Sequence, residues 1–453
     1  MTFIWKLVRP LHRFTVLGVV VALVFGLSAL VSMRLGHSFR TEASSGTAAT
    51  GTGVDGVSGR NIAGLQKHLR EQPRDATSWA ALGLAYVEQA RVTADPAYYP
   101  KAAAVLDRSL QVQPKDNEAA LTGQGALAAA RHDFTRALSL ADQALKVNSY
   151  SMGAQAVRVD ALVELGRYDE ADRAVRHADA TKPGIPIFTR YAYVMELRGH
   201  PDQAERVLRE AADSANAPAD VAYIHTQLGE LAWNHGDLKA AGSEYAIALR
   251  ADPNSLAALD GRARVKDAQG DLASALQDRK ALVARAPLPA YVVSLGELYD
   301  AQRMPDQARA QYAVAGSWAK LAQANGVATD LEGSLIASDH GDHKAALTAA
   351  RAEWNRRHSV HVADALAWAL HVNGQDREAL GYARQASRTG YRNALFFYHR
   401  GIIEKALHLP EAKNDLKAAL DLNPHFSDLH APLARKALKE LKALKELEKQ
   451  GRA

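Results

Sequence analysis

The segment "TQLGELAWNHGDLKAAGSEYAIALRADP", Thr226–Pro253, holds one complete structural unit. Gly236 sits where a helix can end in the left-handed conformation. Asp237 follows at the position that caps the next helix, and Pro253 stops that second helix. Gly229 leaves room on the first helix for the second to approach closely. Ala241 and Ala248, on either side of Tyr245, leave the same room from the opposite face. The segment therefore predicts two antiparallel helices joined by a tight turn. Such a pair cannot bury its apolar face alone, so neighbouring units must stack.

The unit recurs along the chain. "LGRYDEADRAV" (Leu165–Val175), "RGHPDQAERVL" (Arg198–Leu208), "QGDLASALQDR" (Gln269–Arg279), "HGDHKAALTAA" (His340–Ala350) and "NGQDREALGYA" (Asn373–Ala383) each carry Gly, then Ala five positions later. "RHDFTRALSLA" (Arg131–Ala141) and "QRMPDQARAQY" (Gln302–Tyr312) are related forms without that Gly. Gly166 and Gly199 lie 33 residues apart, Gly236 and Gly270 lie 34 apart, and Gly341 and Gly374 lie 33 apart. "TSWAALGLAY" adds Trp79, Leu82, Gly83 and Tyr86, with Ala102, Leu110 and Pro114 beyond an insertion. "SLGELYDAQRMPDQARAQY" adds Leu295, Gly296, Tyr299, Ala308 and Tyr312, and the last unit adds Gly401, Ala412, Ala419 and Pro424.

This pattern resembles the tetratricopeptide repeat (TPR) family. The resemblance implies an all-α, right-handed solenoid of roughly ten units over about 60–424. "IAGLQKHLREQP" (Ile62–Pro73) reads as a lone second helix in front of the array. Residues 425–453 read as a C-terminal capping helix, with Leu433, Leu441 and Leu444 on one side and Lys and Glu on the other.

The chain ahead of the array reads differently. Residues 1–13 form a short, basic N-terminus containing Lys6, Arg9 and Arg13. Residues 14–33, "FTVLGVVVALVFGLSALVSM", carry no charge and suffice to span a bilayer core of about 30 Å as a helix. They read as a retained signal anchor with a cytoplasmic N-terminus, a cleaved signal peptide being the alternative. Residues 34–59 are rich in Gly, Ser, Thr and Ala and read as a flexible linker. "GTGVDG" (Gly51–Gly56) matches a dinucleotide-binding pattern, but neither a strand before it nor a helix after it is predicted.

Composition excludes several functions. The net charge is +5 over 453 residues with no Lys/Arg block before the C-terminus, so nucleic-acid binding is not expected. Cysteine is absent, which removes disulfides, thiol nucleophiles and cysteine-based zinc sites. There is no phosphate-binding P-loop, nucleophile elbow or H-E-x-x-H helix, so no enzyme and no cofactor are expected. His361, Asp364 and His371 share one helical face in "RHSVHVADALAWALH" and are the candidate metal ligands, while His340 and His343 flank a repeat turn.

In TPR proteins the first helix of each unit lines the concave surface. The resemblance places Asp160, Glu164, Tyr193, Glu196, Tyr223, Glu230, Trp233 and Asn234 there, followed by Asp260, Arg264, Asp267, Glu297 and Asp300. Acids outnumber bases in this set and aromatics are interleaved, which predicts a groove for a basic or mixed peptide segment. TPR proteins that clamp a terminal carboxylate do so with Lys and Asn, whereas Asp160, Tyr193 and Glu230 stand at the comparable positions here. The expected function is a membrane-tethered protein-interaction scaffold, single-pass in a bacterial plasma membrane with its repeats outside the cytoplasm. Its expected partners are proteins, basic segments or membrane proteins among them. The bacterial reading rests on the Ala/Arg-rich composition. The alternative is a metal-handling accessory protein using the His-rich repeats.

Overall fold

The computed structural model describes residues 54–450, with side chains from 61 to 443. The short basic N-terminus and the anchor, 1–13 and 14–33, lie outside the described residues, as does most of the linker. Among the described residues no helix is long and apolar enough to cross a membrane. Helix α1 (Val54–Glu71) begins inside the stretch read as linker. Ile62 and Leu69 are buried against the next helices, and once that turn has formed, extending it toward its N-terminus costs little per residue.

Behind α1, the described residues form ten antiparallel helix pairs. They are α2 (Ala76–Thr93) with α3 (Tyr98–Val112), α4 (Glu118–Ala130) with α5 (Phe134–Val147), and α6 (Met152–Glu164) with α7 (Tyr168–Thr181). Next come α8 (Ile185–Leu197) with α9 (Pro201–Ser214), α10 (Pro218–Asn234) with α11 (Leu238–Ala251), and α12 (Leu256–Ala268) with α13 (Leu272–Arg285). The array continues with α14 (Pro289–Ala301) and α15 (Pro305–Ala324), α16 (Asp330–His340) and α17 (His343–Arg356), and α18 (Val360–Val372) and α19 (Asp376–Ala386). It ends with α20 (Ala394–Ala406) and α21 (Ala412–Leu422), capped by α22 (His430–Gln450). No strand occurs among the described residues.

The turn within each pair follows from sequence. Gly166, Gly199, Gly236, Gly270 and Gly374 all have φ between +75° and +86°, and His132, Arg303 and His408 take the same left-handed conformation in units that lack the glycine. Asp133, Asp237 and Asp271 then cap the second helix, accepting from Arg136 N, Ala240 N and Ser274 N. Gly341 departs from this pattern, with φ −150°. The side chains of Asp339 and His340 are tied inward, and α16 runs on to His340 instead of closing on a left-handed residue. Between units, small residues set the spacing. The fully buried Tyr245 ring lies between Gly229 and Gly261, and a Cβ at either glycine would run into it.

The array coils until it meets itself. The α4/α5 turn touches the α15/α16 loop, where Ala328 N donates to Arg131 O at 3.1 Å. Two helices further on, Gly166 in the α6/α7 turn packs on the His358 carbonyl, and Val360 N donates to the Tyr168 hydroxyl at 2.7 Å. Gly199 in the α8/α9 turn packs on Gly390 before α20, and Gly236 packs on Leu422 while Asn423 Nδ2 donates to Trp233 O at 2.7 Å. Each contact joins a turn inside one pair to a loop between pairs eleven helices later. One superhelical turn therefore takes about five and a half units, and it encloses a lumen lined by the first helices of the pairs.

Candidate functional site

All the residues expected to line the groove lie on the first helices α6, α8, α10, α12 and α14. Their carboxylates are not free, because most already hold a partner from the chain. Arg190 Nη2 donates to Asp160 Oδ2 at 2.6 Å. Arg357, from the α17/α18 loop one superhelical turn away, is paired with Glu164 and with Glu353. Arg264 is paired with Glu230 and donates from Nε to Asp260 Oδ2 at 3.0 Å, with its guanidinium 5.1 Å from the Trp233 ring centroid. Arg279 bridges Asp267 at 3.3 Å and Asp428 at 2.5 Å. Burial and the neighbouring Asp428 carboxylate push Asp267 up to about 7.

The remaining members are held by neutral donors. Asn234 Nδ2 donates to Glu196 Oε1 at 3.0 Å, and burial pushes Glu196 up to about 7. The Tyr245 hydroxyl donates to Glu230 at 2.8 Å, and the Tyr312 hydroxyl donates to Asp300 at 2.7 Å. The Tyr223 hydroxyl reaches Thr189 Oγ1 at 3.4 Å, while the buried Tyr193 hydroxyl has no hydrogen-bond partner. The strip that reads as acidic in the sequence is thus largely neutralised by arginines, those on α8, α13 and the α17/α18 loop being only 2–4% exposed. One of these had a legible signal: Arg279 stands nine residues after Gly270, where Tyr245 follows Gly236 and Tyr312 follows Arg303.

Beyond this wall the lumen opens into a cavity of about 440 Å³. It is bounded by α10, α12, α14, α16, α20 and the stretch 424–435, which crosses the end of the lumen. A second chamber of about 170 Å³ shares Trp233, Glu332, Leu335, Leu395 and Phe426 with the first and reaches inward to Phe134, His361, Asp364 and Phe396. Carboxylates on this side meet imidazoles. Glu297 lies 3.4 Å from His340, Asp339 lies 3.2 Å from His430, Asp364 lies 2.9 Å from His399, and Glu332 lies 3.9 Å from His132. Burial opposes ionisation of Asp339, but hydrogen bonds from His430 and from Trp368 Nε1 at 2.7 Å hold it below the usual range. The His399 ring stacks on Trp368 at 4.2 Å.

The three candidate metal ligands do not converge. Asp364 belongs to His399, and His371 Nδ1 lies 2.6 Å from Asp376 Oδ1. His361 packs edge-on against Phe396 with centroids 5.5 Å apart, and burial pushes it down to about 4. Among the described residues no group of three or more His, Asp or Glu side chains is placed to hold a metal ion.

The helix pairs and their repeated turn make the chain a TPR-like helical-repeat protein. No family model matches it. The chain is 31% identical over 185 residues to cellulose synthase 1 operon protein C of Komagataeibacter xylinus, a match covering 38% of this chain but 13% of that protein. A second match, to cellulose synthase operon protein C of Pseudomonas fluorescens (strain SBW25), is 31% identical over 126 residues and covers 26% of this chain and 10% of that one. The chain thus spans a small part of the curated relatives it matches. Among solved structures, a thermophilic TPR protein of Thermus thermophilus shares 25% identity over 38% of this chain and 91% of its own, with a TM-score of 0.34.

Proposed function

We propose that the chain is a non-catalytic scaffold that holds a segment of a partner protein inside its superhelical lumen. The supporting observation is the pair of joined chambers, whose walls come mainly from the first helices of seven pairs and the 424–435 stretch, brought together only by the coil. Trp233, Leu335, Leu395 and Phe426 supply apolar surface where the chambers join, and the surrounding carboxylates supply polarity. Concave sites of this kind, largely apolar with a few placed polar groups, suit recognition of an extended segment. The partners are proteins, with basic segments favoured by the charge of the cavity wall. With residues 14–33 read as an anchor, the scaffold stands at the outer face of a bacterial plasma membrane, where tethering raises its effective concentration for membrane partners.

A photo-crosslinking residue placed at Leu335 in the lumen, with a second at Tyr150 on the outer surface, tests this reading in membranes. Tyr150 is 63% exposed and lines neither chamber. A defined partner segment joined at Leu335 and absent at Tyr150 is expected. Equal or no adducts at the two positions would remove the lumen as the binding surface. Protease protection in spheroplasts tests the orientation, with digestion of the repeat domain expected.

A further inference from the structure

The inner chamber is lined by two buried carboxylates that each keep one oxygen without a hydrogen-bond partner. Glu332, on α16, is 7% exposed, and its Oε2 has no hydrogen-bond partner. The imidazole nearest its other oxygen, at 3.9 Å, is His132 Nδ1, which is already committed to the Ala328 carbonyl at 2.7 Å. Asp364, on α18, is 2% exposed; Oδ2 meets His399, and Oδ1 has no partner. Both residues line the chamber. The chamber also contains Glu164 and Arg357; Arg357 is paired with Glu164 and Glu353, acts at longer range on Glu332, and leaves Oδ1 of Asp364 without a partner. Buried carboxylates without a cation or a full set of donors are costly, and a chamber that keeps two of them is prepared for a cation from outside.

The walls specify which kind of cation. Phe396 and Phe426 offer the chamber apolar and π surface, while Trp233 and Phe134 already face the guanidinium groups of Arg264 and Arg357 at 5.1 and 4.8 Å. A volume of about 170 Å³ admits a linear alkyl stem with a charged head. Aromatic faces attract an ammonium, and an alkyl chain packs against them. We propose that the inner chamber binds an alkylammonium cation, the lysine side chain of a partner segment, with its head between Glu332 and Asp364. This rests on the reading that a partner segment occupies the lumen, and it names the residue of that segment which is recognised.

The test is calorimetric titration of the purified full chain with four probes. They are n-butylammonium, n-butanol, a glycine pentapeptide with one central lysine, and the same peptide with that lysine acetylated. Butylammonium and the lysine peptide are expected to saturate, and the two neutral probes are not. Glu332→Gln and Asp364→Asn should each weaken the lysine peptide by roughly tenfold, about 1.4 kcal/mol. Both substitutions keep an acceptor for the neighbouring histidine, and the contrast among the four probes on the unmodified chain needs neither variant. Equal binding of lysine and acetyl-lysine peptides, no saturation by the lysine peptide, or unchanged affinity in both variants would overturn the proposal. Saturation by butylammonium without the lysine peptide would overturn lysine as the source. Crosslinking from Leu335 reports lumen occupancy separately, so adducts there without amine selectivity leave the scaffold reading standing and remove this one.

Discussion

Two walls of one lumen handle buried charge in different ways. On α6 to α13 the carboxylates Asp160, Glu164, Glu230, Asp260 and Asp267 are matched by Arg190, Arg357, Arg264 and Arg279. On α14 to α18 the nearest ion-pair partners of the carboxylates Glu297, Glu332, Asp339 and Asp364, among the described residues, are the imidazoles of His340, His132, His430 and His399. A guanidinium stays charged at any pH a protein survives and offers a rigid fork of donors. An imidazole is neutral over much of the physiological range and gives one N–H at a time. The first wall is therefore closed electrostatically and serves the fold. Both walls border the chambers, the first through Glu164, Arg264, Asp267, Arg279 and Arg357 and the second through Glu297, Glu332, Asp339 and Asp364.

Breaking the arginine wall should have the largest effect. Among the described residues, Arg357→Met removes the one arginine paired with Glu164 and one of two paired with Glu353, which is 2% exposed, and it cuts a tie across the superhelical turn. Removing one partner of a buried pair costs about 3–5 kcal/mol. The thermal midpoint by circular dichroism should fall markedly, and scattering should show a longer, looser coil. A midpoint within error of the parent would show that the arginine wall carries no structural load.

The same bridge can be weakened through the backbone. Gly166 and Gly374 both have φ +75°, but only Gly166 packs on another turn of the superhelix, at the His358 carbonyl next to Arg357. Alanine at Gly374 should cost about 1 kcal/mol for the left-handed conformation alone. At Gly166 its Cβ also meets backbone, so the loss should be nearer about 3 kcal/mol. Thermal melts of the two variants side by side measure the docking contact itself, because the conformational cost is common to both. Equal losses would mean that the turn does not bear on the loop.

These contacts mark where sequence reading stops. Gly166, Ala171 and their counterparts in six units carry the turn and the close helix approach within about 34 residues, so the helix pairs and the all-α fold are legible. The arginine pairs are not. Arg357 and Glu164 are 193 residues apart, and Arg279 and Asp428 are 149 apart. Meeting at those separations depends on the pitch of the coil, which small rotations per unit accumulate and no local pattern records. The groove residues were therefore legible as positions on first helices but not as neutralised pairs. His343, which stands out in "SDHGDHKAAL", is an exposed residue at the start of α17, and its carbonyl accepts from Asn373 Nδ2 at 2.7 Å.

Glu196 is the exception on the first wall, since it has Asn234 where its neighbours have arginine. Burial raises its folded value to about 7 against an ordinary 4.5. A carboxyl raised in this way favours the folded state below about pH 4.5, and that contribution is lost as pH rises toward 7. Glu196→Gln keeps an acceptor for Asn234 and removes the penalty. The variant should gain about 3 kcal/mol at pH 8 and nothing at pH 4. Melts of parent and variant across that interval should converge as the pH falls; parallel curves would show that Glu196 is ionised at little cost.

The smallest effect should come from the second wall, at His340. Its ring stacks on Tyr312 at 4.0 Å and faces Glu297, Asp339 and Asp300. Burial opposes its charge, but the hydrogen bond to Glu297 and the surrounding carboxylates outweigh burial and raise it above 6.5. A histidine raised in the folded state stabilises fully below about pH 6.5, and the contribution disappears as pH rises through its folded value. His340→Asn should therefore cost about 1 kcal/mol at pH 6 and less at pH 9. That slope is opposite to the one expected of an arginine pair, whose carboxylate alone titrates and whose contribution is lost only in acid. If His340→Asn and Arg357→Met showed the same pH dependence, imidazole and guanidinium would be acting alike in this lumen, and the distinction between its two walls would not hold.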